Sequence, residues 1–245
     1  MLIIEHLTKQ YKGSNKGIRD LSLHVEPGDI YAFIGHNGAG KTTTLKCVAG
    51  IQDYDAGAIR IGGKDLLQDP LECKRMFAYI PDNPDVYEYL TGIQYLNFIA
   101  DVFRVPAGTR RERIQKYGNA FEITPSLGDL VSTYSHGMKQ KLAILSALVH
   151  QPGLLILDEP FVGLDPKASV ILKNIMQEIC DGGGAILFST HVLDVAQRLC
   201  NKVAIIREGK LVTSGSMEQV LRQGESLAGE KSLEDIFMEV AGDVR

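Results

Sequence analysis

Two periods of apolar and polar residues run through this chain. Period-two alternation or a short unbroken apolar run predicts strands at residues 1–7, 18–25, 30–34, 58–63, 77–80, 154–157 and 185–188. Residues 203–206 and 210–212, joined across Glu208-Gly209, read as a hairpin. The first strand alternates only weakly and reads as an edge strand. Helical spacing takes over at residues 43–50, 91–103, 110–121, 139–150, 166–180 and 192–200. Ile93, Leu96, Ile99, Ala100 and Phe103 show it clearly. Pro27-Gly28, Pro152-Gly153 and Gly182-Gly183-Gly184 punctuate the elements. The runs 154–157 and 185–188 are apolar throughout, as strands buried on both faces are. Strands alternating with helices predict an α/β fold, a mostly parallel sheet flanked by helices. Residues 88–133 are helical and polar, and read as a subdomain inserted into that core. Residues 216–245 read as a polar, partly helical tail.

With 245 residues the chain is long enough for one sizeable core with a subdomain. Its net charge of −4, with both signs interspersed, implies no broad nucleic-acid footprint. Cys47, Cys73, Cys180 and Cys200 are far apart and lack metal-ligand spacing, which suits free thiols in a reducing compartment. The first residues have neither a basic start nor a long apolar stretch, so no signal peptide is expected. Runs such as 142–149 are too short to span a bilayer.

The chemistry concentrates in Gly35-His36-Asn37-Gly38-Ala39-Gly40-Lys41-Thr42. This is G-x-x-x-x-G-K-[ST] between a strand and a helix, the context a phosphate-binding loop requires. A phosphate chain needs many N–H donors at close range, and side chains at the glycine positions would block them. The helix after the loop adds its positive end. Lys41 is assigned to the β- and γ-phosphates and the Thr42 hydroxyl to Mg²⁺. Thr43 completes the expected ATP-binding stretch. Leu154-Leu155-Ile156-Leu157-Asp158 ends in a carboxylate at the end of a buried strand. Were that strand to neighbour the loop strand, Asp158 would reach the Mg²⁺ shell, directly or through water. Glu159 follows as the candidate base for an attacking water.

Further motifs give a resemblance over essentially the full chain. Tyr134-Ser135-His136-Gly137-Met138-Lys139-Gln140 is similar to the signature motif of the ATP-binding subunits of ABC transporters. Gly163-Leu164-Asp165-Pro166 is similar to that family's D-loop, and Ser189-Thr190-His191 to its switch-histidine loop. Tyr11 falls where the family stacks an aromatic on adenine. The resemblance implies a P-loop NTPase with an antiparallel β portion, divided into a RecA-like core at about 1–87 and 139–215, a helical subdomain at about 88–138 and the tail. It also implies two subunits sandwiching two ATP. Ser135 and the Gly137 amide of one would contact the γ-phosphate on the other, Asp165 would cross the interface, and His191 would hold the attacking water. The implied partners are a second ATP-binding subunit, expected to be an identical copy, and a membrane-spanning permease. The permease would hold this chain at the inner face of the membrane.

Three positions depart from the family pattern. Asp82 stands where glutamine is common. It reads either as a Mg²⁺ ligand or as a turn residue before Asn83-Pro84. His136 replaces a more familiar glycine and Met138 a glutamine. These variants, with the tail Ser232-Leu233-Glu234-Asp235-Ile236-Phe237, most resemble exporter-type ATPases of the ABC-2 class. A rival reading is a soluble ABC-type ATPase acting on nucleic acid or ribosomes. Such proteins usually carry two nucleotide units or a long coiled-coil insertion, and neither is evident here. A P-loop kinase would leave the signature unexplained.

Overall fold

A computed structural model describes residues 1–13, 16–223 and 232–241. In chain order the elements are β1 (Leu2–Gln10), β2 (Gly17–Val25), β3 (Ile30–Ile34), α1 (Lys41–Val48), β4 (Ala56–Ile61), β5 (Lys64–Asp65), α2 (Pro70–Met76) and β6 (Phe77–Ile80). Then come α3 (Gly92–Val102), α4 (Ala107–Ala120), α5 (His136–Val149), β7 (Leu154–Asp158), α6 (Pro166–Asp181) and β8 (Ala185–Thr190). The last are α7 (Leu193–Leu199), β9 (Lys202–Arg207), β10 (Lys210–Ser216), α8 (Met217–Gln223) and α9 (Leu233–Ala241).

Among the described residues the strands form two sheets, one ordered β2-β1-β4-β5 and the other β10-β9-β3-β8-β7-β6. The first is antiparallel throughout. The second is parallel from β9 to β6, with β10 added antiparallel at its edge. All five residues of β3 are buried. Ile30, Ala32 and Ile34 join a core with α5 and α6, while Tyr31 and Phe33 join a second core with α1 and the antiparallel sheet. A strand covered on both faces needs apolar residues at every position, which explains the unbroken run.

One expectation is corrected. Residues 1–7 do not form an edge strand, because β1 pairs with β2 on one side and β4 on the other. The weak alternation has a local cause. His6 adopts φ 51°, and the register shifts between Ile4 and Leu7. A bulge of this kind interrupts the period of two without removing the strand from the sheet interior. The strand β7 does not adjoin β3, because β8 lies between them.

Helix α3 begins at a capping box in which the Thr91 side chain accepts from Gln94 N and the Gln94 side chain accepts from Thr91 N. Both α3 and α4 pack on α5. Helix α2 was not expected, its seven residues being too few for a clear period. In the tail, α8 and α9 fall within the described residues, whereas 224–231 and 242–245 lie outside them. No described helix is long and apolar enough to cross a membrane.

Candidate functional site

The carboxyl ends of β3, β7 and β8 lie level with one another. Ile34 pairs with Thr190, and Asp158 with Ser189. Ligands in parallel sheets sit beyond such ends. A cavity of about 290 Å³ opens there, lined by Tyr11, Lys16, Gly17, His36, Asn37, Gly38, Gly40, Lys41, Thr42, Thr43, Asp82 and Glu159. The loop motif, Tyr11, Asp82 and Glu159 are thus brought together. Lys16 and Gly17 were missed. A basic residue in a polar loop beside Tyr11 was the available signal, and it is a faint one.

The loop glycines meet different demands. A Cβ at Gly35 would stand 2.5 Å from the Ile206 carbonyl of β9, so the loop leaves the sheet through a gap with no room for a side chain. Gly40 has φ 113°, a region closed to most residues, and leads directly into α1. No side chain caps α1. Its first-turn amides therefore face the loop, an arrangement suited to an anion. Lys41 is buried, and its Nζ donates to the carbonyls of Gly35 at 2.6 Å and His36 at 3.4 Å. The same ammonium lies 3.7 Å from Glu159 Oε1.

Glu159 has φ 48°, unusual for a residue with a side chain, and strain of this kind concentrates at functional sites. Its Oε2 lies 2.9 Å from His191 Nδ1. The carboxylate is largely buried, at 15% exposure, while the His191 side chain is 56% exposed. Asp158 is fully buried. Burial raises its carboxyl above the usual carboxylate range, the Ser189 hydroxyl and neighbouring Thr42 oppose that, and Asp82 and Glu159 add like charge. Ser189 Oγ donates to Asp158 Oδ1 and accepts the Glu159 amide at 3.0 Å. Asp158 Oδ2 has no hydrogen-bond partner. A buried carboxylate oxygen left open beside a threonine hydroxyl is a hard-oxygen donor set suited to Mg²⁺. Mg²⁺ takes one or two protein oxygens and completes its shell with phosphate and water. Asp82 lines the same space, with Oδ1 accepting the Asn83 amide at 2.9 Å. It is therefore a turn residue that also faces the cavity.

Tyr11 sits at the cavity mouth, its hydroxyl 3.3 Å from Thr43 Oγ1. Ala39 is buried beneath the loop. Ser135, Gly137, Asp165 and His191 are not among the residues lining the cavity. Ser135 is the N-cap of α5, accepting the Met138 amide at 3.3 Å. Asp165 is the N-cap of α6, accepting the Ala168 amide at 2.8 Å, and its other oxygen lies 2.7 Å from Lys141 Nζ. That lysine holds its carboxyl below the ordinary range. A Cβ at Gly137 would stand 2.8 Å from the Gly163 carbonyl, so the start of α5 abuts the turn before α6.

Fold and site together define a P-loop ATPase. The chain belongs to the ABC transporter ATP-binding family, whose model, described as ABC transporter, matches residues 18–162. It binds ATP with Mg²⁺. It is similar to the ABC-type transporter ATP-binding protein EcsA of Bacillus subtilis (strain 168), at 34% identity over 240 residues, covering 98% of this chain and 96% of the relative. A solved structure of the ATP-binding subunit of an ABC transporter superposes with a TM-score of 0.92 at 35% identity, over 98% of this chain and 99% of the other. The fold also matches a dimeric post-hydrolysis ATP-binding cassette bound to ADP and Pi, with a TM-score of 0.80 at 19% identity, over 89% and 99%.

Proposed function

We propose that this chain is the motor of an exporter-type transporter. Two copies close around two ATP and drive a separate membrane-spanning permease, which holds them at the inner membrane face. One observation carries the reading. Ser135 and Gly137 stand at a helix start outside the cavity that holds Lys41, Thr42 and Glu159. A second copy must bring them to the phosphate. The dimer bound to ADP and Pi, a protein of the same fold, supports that arrangement. The transporter name of EcsA supports a permease partner.

Each residue then has a task. The loop amides and Lys41 hold the phosphates. Tyr11 stacks on the adenine. Glu159 accepts a proton from the attacking water, with His191 fixing its carboxylate. Asp165 meets the partner subunit. Thr42 and Asp158, with Asp82 nearby, would hold Mg²⁺, which would supply positive charge beside the phosphates. Loss of the γ-phosphate removes the contact between copies, and they part. We assign residues 1–87 and 139–215 to the core and 88–138 to the helical subdomain. Tyr89, 76% exposed, stacks on Tyr87, which also meets Phe98, and these exposed aromatics support docking of a membrane-side helix at 82–103.

Light scattering of the Glu159→Gln variant tests this. Excess Mg-ATP converts it to a dimer. Adding Ser135→Asp keeps a cap for α5 but sets a negative charge against the partner's phosphate, and returns it to monomer. A parent that stays monomeric in Mg-ATP rejects the shared-pocket mechanism. Co-purification from detergent extract identifies the permease, and tight binding to DNA or RNA in a gel shift would favour the nucleic-acid reading instead.

A further inference from the structure

Tyr79 of β6 pairs with Ile156 of β7 in parallel register. Residues two apart on a strand share a face, so Asp158 stands on the face of Ile156, one step diagonally beyond Tyr79. The packing agrees. Ala78, Ile80, Leu155 and Leu157 join the core with α5 and α6. Ile156 belongs to the other core, with Leu45 and Val48 of α1, and Tyr79 packs against that core. Tyr79 and Asp158 thus face the side of the sheet covered by the helix that opens with Lys41 and Thr42. The Tyr79 hydroxyl is buried and has no hydrogen-bond partner, and the same is true of Asp158 Oδ2. Burial raises the pKa of the phenol, and the charges of Asp158 and then Asp82 add to the effect. The phenol therefore keeps its proton and is a donor with two carboxylates nearby. A buried hydroxyl left unpaired is costly and calls for an explanation. The phenol and Asp158 Oδ2 do not bond to each other directly, and a polar site of this kind suits a bridging water.

We infer that Tyr79 is a positioning residue for the Mg²⁺ site, its hydroxyl donating through one water to Asp158 Oδ2. The inference rests on reading Thr42 and Asp158 as the residues that hold Mg²⁺. A carboxylate oxygen has two lone pairs, so one can face the ion while the other accepts from the water. Ser189 holds Oδ1, and the phenol then holds Oδ2, so the carboxylate is fixed from both ends. Groups of this kind orient a metal ligand without touching the metal. Loss of the hydroxyl therefore weakens the metal-dependent part of ATP binding. It leaves untouched what Lys41 and the loop amides give to ATP without the ion.

Calorimetry with ATP on the Glu159→Gln parent, once in Mg²⁺ and once in EDTA, tests this. Tyr79→Phe keeps the ring in the core and removes only the hydroxyl. It weakens binding in Mg²⁺ roughly tenfold, the lower end for groups that orient a metal ligand, and leaves binding in EDTA unchanged. In the chain with Glu159 intact, Tyr79→Phe raises the Mg²⁺ concentration giving half the maximal ATPase rate by a similar factor, and excess Mg²⁺ restores the rate. Unchanged binding of Tyr79→Phe in Mg²⁺ overturns the inference. So does an equal loss in Mg²⁺ and in EDTA, which would mean that Tyr79 acts through packing beneath α1. A parent that binds ATP no better in Mg²⁺ than in EDTA overturns the reading of Thr42 and Asp158 as metal-holding residues, and this inference with it.

Discussion

Ser189 stands directly opposite Asp158 in the parallel pair β7–β8, and its hydroxyl joins two neighbouring functions. It donates to Asp158 Oδ1 and accepts the Glu159 amide at 3.0 Å. One oxygen therefore fixes both the buried carboxylate proposed to hold Mg²⁺ and the backbone of the candidate base. It also leaves Asp158 Oδ2 as the open oxygen.

Ser189→Ala is expected to lower kcat about ten- to a hundredfold, the usual scale for losing a group that orients a metal ligand. Mg²⁺ dependence should shift to higher concentration, while the circular dichroism spectrum stays unchanged. Wild-type turnover and unaltered Mg²⁺ dependence in this variant would show that the bridge is incidental.

His191 holds Glu159 from the solvent side, at 2.9 Å. His191→Ala should reduce the saturated ATPase rate by at least tenfold while leaving Mg-ATP affinity within a few-fold, because Lys41 and the loop amides still hold the phosphates. If affinity collapses and kcat is spared, His191 belongs to binding and not to proton transfer.

Gly35 permits no side chain. In Gly35→Ala the new methyl meets the Ile206 carbonyl at 2.5 Å and must push the loop away from β9. Overpacking of this sort costs about 1–3 kcal/mol. Urea unfolding should register that loss, and Mg-ATP affinity should fall with it. A fully stable, fully binding variant would contradict the tight passage described.

The parts legible from sequence are those in which neighbouring residues carry the constraint. In Gly35–Thr43 every demand, from the gap at Gly35 to the ammonium of Lys41, falls on a position in one short loop. The same holds for the helices that helical spacing predicted at 139–150 and 166–180. Long-range facts did not show. The Ser189 bridge depends on the register between β7 and β8. A ring contact between Phe237 and His36 joins positions two hundred residues apart. The strand order that separates β7 from β3 leaves no local trace, and the bulge at His6 disguised an interior strand as an edge. Asp82 shows a different difficulty. Its residue type allows both a turn and a ligand, and the structure has it turning the chain while facing the cavity.

His150 supplies a pH dependence whose sign can be worked out. Its ring lies flat on Phe103, with centroids 3.7 Å apart, and Nδ1 has no hydrogen-bond partner. Burial pushes its pKa down from 6.5 to about 4, and nearby Arg113 adds to the effect, against a hydrogen bond to the Phe77 carbonyl. Between those two values the unfolded chain binds the extra proton and the folded one does not. Stability contributed by neutral His150 is therefore complete above the unfolded value and is lost as pH falls toward about 4. Between pH 7 and pH 5 this amounts to about 2 kcal/mol. Phenylalanine at this position keeps the stacking and removes the titration. Urea unfolding of the wild type and of His150→Phe should then show a shallower pH slope in the variant over that interval, and parallel slopes would mean that other groups carry the acid sensitivity.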